Sequence, residues 1–268
     1  MTGDADQGRV LRGLAESVAR DTGVWLASQR RDGVRTLATK SSATDLVTFF
    51  DRAAEQRIVA FLRDCRPHDA IVGEEGADTV GTSGLTWLID PIDGTTNFVY
   101  DLGGYAVSVA VVDEHGPLAG AVHVPSTGEL FSAHRDGGAW RDGSAIAPSE
   151  RDDLGQALVA TGFSYDPERR RAQAQRLAAL LPRLRDVRRL GAAAVDLCLV
   201  ACGRLDAYFE EYLNAWDCAA GLLIATEAGC RASDFTGGPP RPEALVVSAP
   251  ALHQSLVGLL DATSTHPT

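Results

Sequence analysis

The sequence is short of positive charge. Its 268 residues carry 36 Asp and Glu against 25 Lys and Arg, which gives a formal net charge of −11 with histidine neutral. Nucleic acids and anionic lipid surfaces are bound largely through Lys and Arg, so we expect neither a nucleic-acid partner nor a membrane partner. The same balance disfavours a phosphate-bearing ligand, unless bound cations reverse the charge locally.

The sequence also lacks the patterns that mark zinc sites, disulfide frameworks, secretion and membrane insertion. The five cysteines include no C-x-x-C pair and no Cys/His cluster, so we expect reduced thiols in the core. Residues 1–7 are polar and acidic, unlike a signal peptide. No apolar run approaches the ~18 residues that span a membrane. These absences predict a cytoplasmic protein.

Hydrophobic periodicity in the first half predicts two helices followed by a sheet. Apolar residues at helical spacing indicate a first helix that ends near Gly23 and a second that begins near residue 47 and ends before Pro67. Short buried strands are expected at residues 70–72 and 87–89. Three further β-rich segments, separated by Gly and Pro turns, predict an antiparallel meander at residues 105–112, 118–124 and 129–134.

After about residue 149 the pattern becomes an alternation of strands and helices. Strands are expected at residues 157–161, 206–210 and 246–247, and helices at residues 168–181, 191–202, 216–228 and 251–260. The fold class is therefore α+β. Because single cores stop growing at about 250–300 residues, we expect one functional unit, residues 1–268, made of an α+β part over residues 1–148 and an α/β part over residues 149–268.

The strongest local pattern is WLIDPIDGTTNF at residues 87–98. An apolar strand delivers Asp90 and Asp93 on either side of a proline that stiffens the turn. Gly94 permits backbone conformations that are closed to other residues, so that N–H groups can face an anion. A helix that starts at Thr95 or Thr96 would strengthen such an anion site.

Two carboxylates beside an anion site make chemical sense when cations lie between them. Oxygen ligands without nearby His or Cys indicate Mg²⁺ or Mn²⁺ rather than zinc. Glu74 and Glu75 follow another predicted strand and would add ligands, and Asp217 at a helix start would complete the set. The sequence therefore predicts a two-metal phosphoryl-transfer site.

Each motif by itself has a simpler interpretation. D-P-x-D-G is often only a turn, and Gly-Glu-Glu-Gly at residues 73–76 is more typical of a solvated turn. Asp217 beside Trp216 suits a helix-capping aspartate next to a core tryptophan. The arginine run at residues 169–171 suits a solvated helix face. The combination of motifs, rather than any one of them, favours an active site.

Together the motifs resemble the inositol monophosphatase family of Mg²⁺-dependent, Li⁺-sensitive phosphatases, over nearly the whole chain. The matching segments, in chain order, are KSS at 40–42, DLVT at 45–48 with Asp51, GEE at 73–75, DPIDGTTNF at 90–98, RLGAAA at 189–194, DAYFE at 206–210 and WD at 216–217. The resemblance implies a layered αβαβα sandwich of the inositol monophosphatase and fructose-1,6-bisphosphatase type. It also implies a homodimer that hydrolyses small phosphate monoesters.

The same resemblance assigns roles to residues. It implies two or three Mg²⁺ ions, with Mn²⁺ as a substitute and Li⁺ as an inhibitor, held by Glu74, Asp90, Asp93, Asp217 and the Ile92 carbonyl. It implies that Glu74 and Thr95 orient the attacking water and that Asp51 accepts a hydrogen bond from the Thr95 hydroxyl. The implied substrate contacts are Asp93, Gly94, Thr95, Gly191, Ala192, Ala193, Glu210 and Asp217. Lys40 and Glu75 are implied near the metals, with a solvated lysine and a surface turn as the simpler interpretations. For Glu210 the simpler interpretation is a carboxylate at a sheet edge.

The sequence leaves the substrate open. Asn214 stands where animal members of the family commonly carry histidine, and relatives with the same core hydrolyse histidinol phosphate, 3′-phosphoadenosine 5′-phosphate or fructose 1,6-bisphosphate. Thr96 after Asp-Gly-Thr, followed by Asn97 and Phe98, favours the inositol monophosphates. A regulatory protein that contacts the transcription machinery is an alternative of another class, although no separate basic patch or tail supports it.

Overall fold

A computed structural model describes residues 2–31, 36–39 and 46–263, with side chains described over residues 6–30 and 49–263. In chain order, the helices of these ranges are α1 (Thr2–Arg31), α2 (Phe49–Cys65), α3 (Thr95–Val99), α4 (Pro167–Leu180), α5 (Ala193–Ala201), α6 (Ala215–Glu227) and α7 (His253–Ala262). No helix within these ranges is both long enough and apolar enough to cross a membrane.

Two larger sheets and a two-stranded ladder accompany the helices. The strands are β1 (Thr36–Thr39), β2 (Leu46–Thr48), β3 (Ala70–Gly73), β4 (Thr86–Asp93), β5 (Ala106–Asp113), β6 (Gly116–Val124), β7 (Glu129–His134), β8 (Gly138–Arg141), β9 (Ser144–Ala145), β10 (Leu158–Thr161), β11 (Asp186–Arg188), β12 (Ala207–Glu211), β13 (Arg231–Ser233) and β14 (Ala244–Ser248). The first sheet runs β3 to β9 in sequence order, and the second has the order β11-β10-β12-β14-β13.

The elements stack as α, β, α, β, α, which confirms the expected fold class. One core cluster joins α1 and α2 to the first sheet through side chains such as Leu11, Ile58 and Trp87. A second fills the space between the two sheets around α5 and α6, with Leu197 and Ile224 among its members. A third lies between the second sheet and α7. Because β5 is buried on both faces, its sequence is a nearly continuous apolar run rather than an alternating one.

Two expectations from the sequence are wrong. The first helix does not end near Gly23 but continues to Arg31. Gly23 is a point of close packing, because a Cβ there would lie 2.1 Å from Nδ1 of His123 on β6. The cysteines are free but not all in the core, since Cys65 is exposed at the end of α2 and Cys202 is half-buried. The helix at α2 and the meander of β5, β6 and β7 are confirmed.

Candidate active site

The site begins where β4 ends. In its pairing with β5, Asp90 lies opposite Ser108 and Asp93 opposite Ala106, so one extra residue bulges from β4 between them. Pro91 falls inside this bulge, where a missing N–H costs no ladder hydrogen bond. The Ile92 N–H donates to Oδ1 of Asp90 at 3.0 Å. Asp90, Ile92 and Asp93 all line one cavity.

Gly94 and Thr95 form the turn that follows β4. Gly94 precedes α3 with a φ of +85°, in the left-handed region that favours glycine. The helix begins at Thr95, one of the two starts expected from the sequence. The Thr95 hydroxyl lies 3.1 Å from Oδ1 of Asp51 and 3.1 Å from the Ile92 carbonyl. Asp51 is buried in the first turn of α2, so this contact joins α2 to the turn.

Glu74 follows β3, which runs parallel to β4 and pairs Gly73 with Ile89. Because the carboxyl ends of parallel neighbours meet at one sheet edge, Glu74 lies beside Asp90 and lines the same cavity. Glu75 points elsewhere. Its backbone N–H donates to the buried Glu55 at 2.8 Å, and its side chain lines a groove against α2.

The second half of the chain completes the cavity through two helix starts and one strand. The N–H groups of Ala193 and Ala194, at the start of α5, donate to the two carboxylate oxygens of Asp93 at 3.1 and 2.7 Å. Asp217 accepts from the Asn214 backbone N–H at 2.7 Å and takes part in a capping box at the start of α6. Asp217 therefore both caps the start of α6 and lines the cavity.

The cavity measures about 210 Å³ and brings most of the predicted site residues together. Those that line it are Glu74, Asp90, Ile92, Asp93, Gly94, Thr95, Gly191, Ala192, Ala193, Glu210 and Asp217. Asp51 stands behind Thr95, Glu75 faces α2, and Lys40 lies outside the described residues. Glu210 belongs to β12, the central strand of its sheet, and is not an edge carboxylate.

One wall of the cavity is formed by residues that the sequence patterns did not predict as site residues. Its members are Phe163, Ser164, Tyr165, Arg169, Arg189, Glu211, Tyr212 and Leu213. Arg169, interpreted as part of a solvated helix face, has its guanidinium 4.3 Å from the centre of the Tyr212 ring. Tyr212 adopts a φ of +67°, a conformation that costs free energy for a large residue and is frequent at functional sites. Of these residues, only Arg189 could have been predicted from the sequence to lie at the site, because it belongs to the RLGAAA motif.

The cavity concentrates negative charge in a buried place. Burial, followed by the charge of Glu74, raises the pKa of Asp90 well above its usual value. Burial and then Asp217 do the same to the pKa of Asp93, and burial raises the pKa of Asp217 to about 7. For Glu210, burial raises the pKa, and the Tyr208 hydroxyl that donates to it at 2.6 Å opposes the rise.

These residues fit a divalent cation by their chemistry. Among the side chains described over residues 6–30 and 49–263, no Lys or Arg pairs with Asp90, Asp93 or Asp217, so the repulsion among these carboxylates favours a bound cation. Carboxylate and carbonyl oxygens are the ligands that Mg²⁺ prefers. In the same ranges no three His, Cys, Asp or Glu side chains are already grouped closely enough to hold a metal. One reason is visible, since Asp93 and Asp217 both turn toward backbone N–H groups.

Known proteins are similar to this chain over most of its length. A family model described as the inositol monophosphatase family matches residues 9–266. The chain is 42% identical over 270 residues to the inositol-1-monophosphatase of Mycobacterium leprae, with 93% of each chain covered. It is 38% identical over 227 residues to the Nus factor SuhB of Vibrio cholerae, covering 84% of this chain and 85% of that relative.

A solved structure gives the same result in three dimensions. The extragenic suppressor protein SuhB of Bartonella henselae superposes with a TM-score of 0.88 at 30% identity, covering 94% of this chain and 98% of that one. With a family match along nearly its whole length, close relatives and a shared fold, the chain belongs to the inositol monophosphatase family.

Proposed function

We propose that this family phosphatase hydrolyses myo-inositol 1-phosphate and related inositol monophosphates to inositol and phosphate. The observation that carries the proposal is that Glu74, Asp90, Asp93 and Asp217, from both halves of the chain, line one cavity. The mycobacterial relatives named inositol-1-monophosphatase support the substrate class.

In this proposal Mg²⁺ is held by Glu74, Asp90, Asp93, Asp217 and the Ile92 carbonyl, as two or three ions. When bound, the ions lower the pKa of a coordinated water and stabilise the charge that develops on the phosphoryl and leaving oxygens. Mn²⁺ would substitute for Mg²⁺, and Li⁺ would inhibit. The negative net charge of the chain then makes phosphate binding strictly dependent on the cations.

The protein's own groups do the remaining work at the phosphate. The backbone N–H groups of Gly94 and Thr95, freed by the left-handed turn, face the phosphate. Glu74 and the Thr95 hydroxyl orient the attacking water. The Thr95 hydroxyl lies 3.1 Å from Asp51, so a proton that Thr95 receives from the water is balanced by one that it donates toward that carboxylate.

The ring of the substrate is recognised on the other side of the cavity. Asp93 and Glu210 accept hydrogen bonds from ring hydroxyls, and the backbone at residues 191–193 contacts the same ring. Tyr208 holds Glu210 in place through its hydroxyl, which donates at 2.6 Å. A ring rich in hydroxyls suits a wall lined by polar groups, because an ester without those hydroxyls would leave the groups short of partners.

A substrate panel under Mg²⁺ tests the proposal. We expect the highest kcat/KM for myo-inositol 1-phosphate and lower values for histidinol phosphate, fructose 1,6-bisphosphate and 3′-phosphoadenosine 5′-phosphate, with no turnover after chelation of the metal. Asp90→Asn is expected to abolish turnover, while Asp186→Asn, the same change on an exposed edge strand, leaves it intact. Preference for any of the other three substrates would refute the assignment of substrate.

The Nus factor name of several relatives at 38–42% identity favours a second candidate function, a binding protein of the transcription machinery. Asp93→Asn separates the two functions. If the cellular phenotype of a deletion is rescued by the inactive variant, the binding function accounts for it. If rescue requires turnover, the phosphatase function accounts for it. We also expect a homodimer, which sedimentation equilibrium of the full chain tests.

A further inference from the structure

Asn97 connects two parts of the site that lie far apart in the sequence. It is a buried residue of α3, two positions after Thr95. Its Nδ2 group donates to the carbonyl of Gly104 at 2.9 Å and to the carbonyl of Leu190 at 2.8 Å. The second bond spans 93 residues and crosses from the first half of the chain to the second. Asn97 does not line the cavity.

The backbone beside this amide is packed too closely for a side chain at Gly94. Gly94, Gly104 and Gly191 all have φ between +78° and +91°. A Cβ on Gly94 would lie 3.0 Å from the Cβ of Ala192 and 3.1 Å from the carbonyl of Gly191. A Cβ on Gly191 would be in ordinary van der Waals contact with Nδ2 of Asn97, at 3.5 Å. The turn at Gly94 and the loop that precedes α5 therefore contact each other backbone to backbone, and the Asn97 amide supplies hydrogen bonds at this contact.

The two carbonyls require the donors that asparagine offers. The amide has two N–H donors, one for each carbonyl, whereas aspartate has none when ionised and serine has one. Gly104 and Leu190 are half-buried, so a carbonyl that loses its donor there keeps part of the cost of desolvation. Thus the residue type, and not only its volume, is matched to the position.

We propose that Asn97 is a positioning residue that holds the loop at residues 190–193 at a fixed distance from the phosphate turn at Gly94 and Thr95. It thereby sets the preference for phosphate esters of hydroxylated rings over esters that make no contact with that loop. The inference rests on the proposed function for the identity of the ring. Asp93 also joins the halves, but it is an expected metal ligand, whereas Asn97 acts through backbone carbonyls.

The test compares the kinetics of two substrates and adds one measurement that needs no turnover. In Asn97→Ser and Asn97→Asp we expect kcat/KM for myo-inositol 1-phosphate to fall by about tenfold or more relative to 4-nitrophenyl phosphate, which has no ring hydroxyls, because a misplaced contact costs rate only where it is used. We expect most of this fall in kcat/KM to come from a higher KM rather than from a lower kcat. Hydrogen–deuterium exchange of the amides at residues 189–194 is expected to become faster in both variants.

The control is His253→Asn, which removes buried hydrogen bonds of the imidazole to Ser248 and Ser233 outside the site. It is expected to lower the melting temperature without changing the substrate ratio or the exchange at residues 189–194. An unchanged ratio in the Asn97 variants overturns the role in specificity, and unchanged exchange overturns the structural tie. If the wild type hydrolyses no inositol monophosphate, the proposed function fails. The Asn97 inference is then tested by the exchange and by the ratio for the best hydroxylated ester.

Discussion

The Thr95 hydroxyl joins the candidate phosphate site to α2. It lies between the Asp51 carboxylate and the Ile92 carbonyl, 3.1 Å from each. Thr95→Val keeps the shape and removes the hydroxyl. We predict that kcat for the best substrate falls by about 10²- to 10⁴-fold, the usual contribution of a positioned proton-transfer group, while KM changes by less than about threefold.

Two variants define what this result means. Thr95→Ser keeps the hydroxyl and is expected to retain most of the activity. Thr96→Val makes the same change one residue further on, at a side chain that does not line the cavity, and is expected to be nearly silent. Steady-state kinetics under saturating Mg²⁺ measures all three. A Thr95→Val enzyme with wild-type kcat would remove Thr95 from the proton path.

His123 gives a prediction about acid stability. Burial, then the charge of Arg20, lowers its pKa to about 4, whereas the unfolded chain binds that proton near pH 6.5. Between these values the unfolded state holds more protons, so the free energy of unfolding falls as the pH falls through this window. From pH 7 to pH 5 the loss is about 2 kcal/mol. Urea unfolding at both pH values measures it.

The variant His123→Phe isolates this contribution. Burial also lowers the pKa of His134 and of His253, so the wild type loses stability in acid for more than one reason. We expect the variant to lose less between pH 7 and pH 5 than the wild type, whatever its stability at pH 7. An identical loss in both proteins would show that His123 does not contribute.

At the scale of the element, α1 contains two glycines that look alike in the sequence but differ in their surroundings. A Cβ on Gly13 would have nothing within 4 Å, whereas a Cβ on Gly23 would lie 2.1 Å from the His123 ring. We predict that Gly13→Ala raises the free energy of unfolding by up to about 1 kcal/mol, the difference in helix propensity. Gly23→Ala is expected to lower it, because the clash with a buried ring outweighs that gain. Chemical denaturation of both variants checks the opposite signs.

The same glycine shows what the sequence could and could not predict about the elements. Long segments with clear periodicity, such as α2, β5 and β6, were predicted within a few residues. The predicted end of α1 was wrong because, in the sequence, a glycine that packs against another element looks the same as one that ends a helix. The edge strands β11 and β13 were missed because three residues with little buried apolar surface carry no periodic signal.

The residues of the candidate site likewise include some that the sequence could predict and some that it could not. Acidic residues at the ends of β3 and β4 were predictable, because the sequence itself shows where each strand ends. Arg169 and Tyr212 were not, because they meet only through the packing of α4 against the loop that follows β12. Asn97 is part of the motif at residues 87–98, but its hydrogen bond to Leu190 depends on a contact between distant segments. Local patterns identify the chemistry, and long-range packing decides what surrounds it.

At the scale of the whole molecule, the two halves of the chain share one core. The cluster between the sheets contains Ala110, Val122 and Phe131 from the first half together with Leu197 and Ile224 from the second. Neither half could bury these side chains alone, and exposing them would remove about 25 cal/mol per Å² of stabilisation. We therefore propose that residues 1–148 and 149–268 are parts of one folding unit rather than independent domains.

This unit is expected to unfold in a single cooperative transition, and Mg²⁺ is expected to raise its midpoint. A ligand present at about 100 times its Kd adds about 2.7 kcal/mol to the stability of the state that binds it, and the proposed ligands come from both halves. Scanning calorimetry of the full chain with Mg²⁺ and with chelator measures both effects, with Asp90→Asn as the variant that should lose the shift and Asp186→Asn as the variant that should keep it. Two separate transitions, of which Mg²⁺ moves only one, would show instead that the halves fold independently and that the cations are held by one of them.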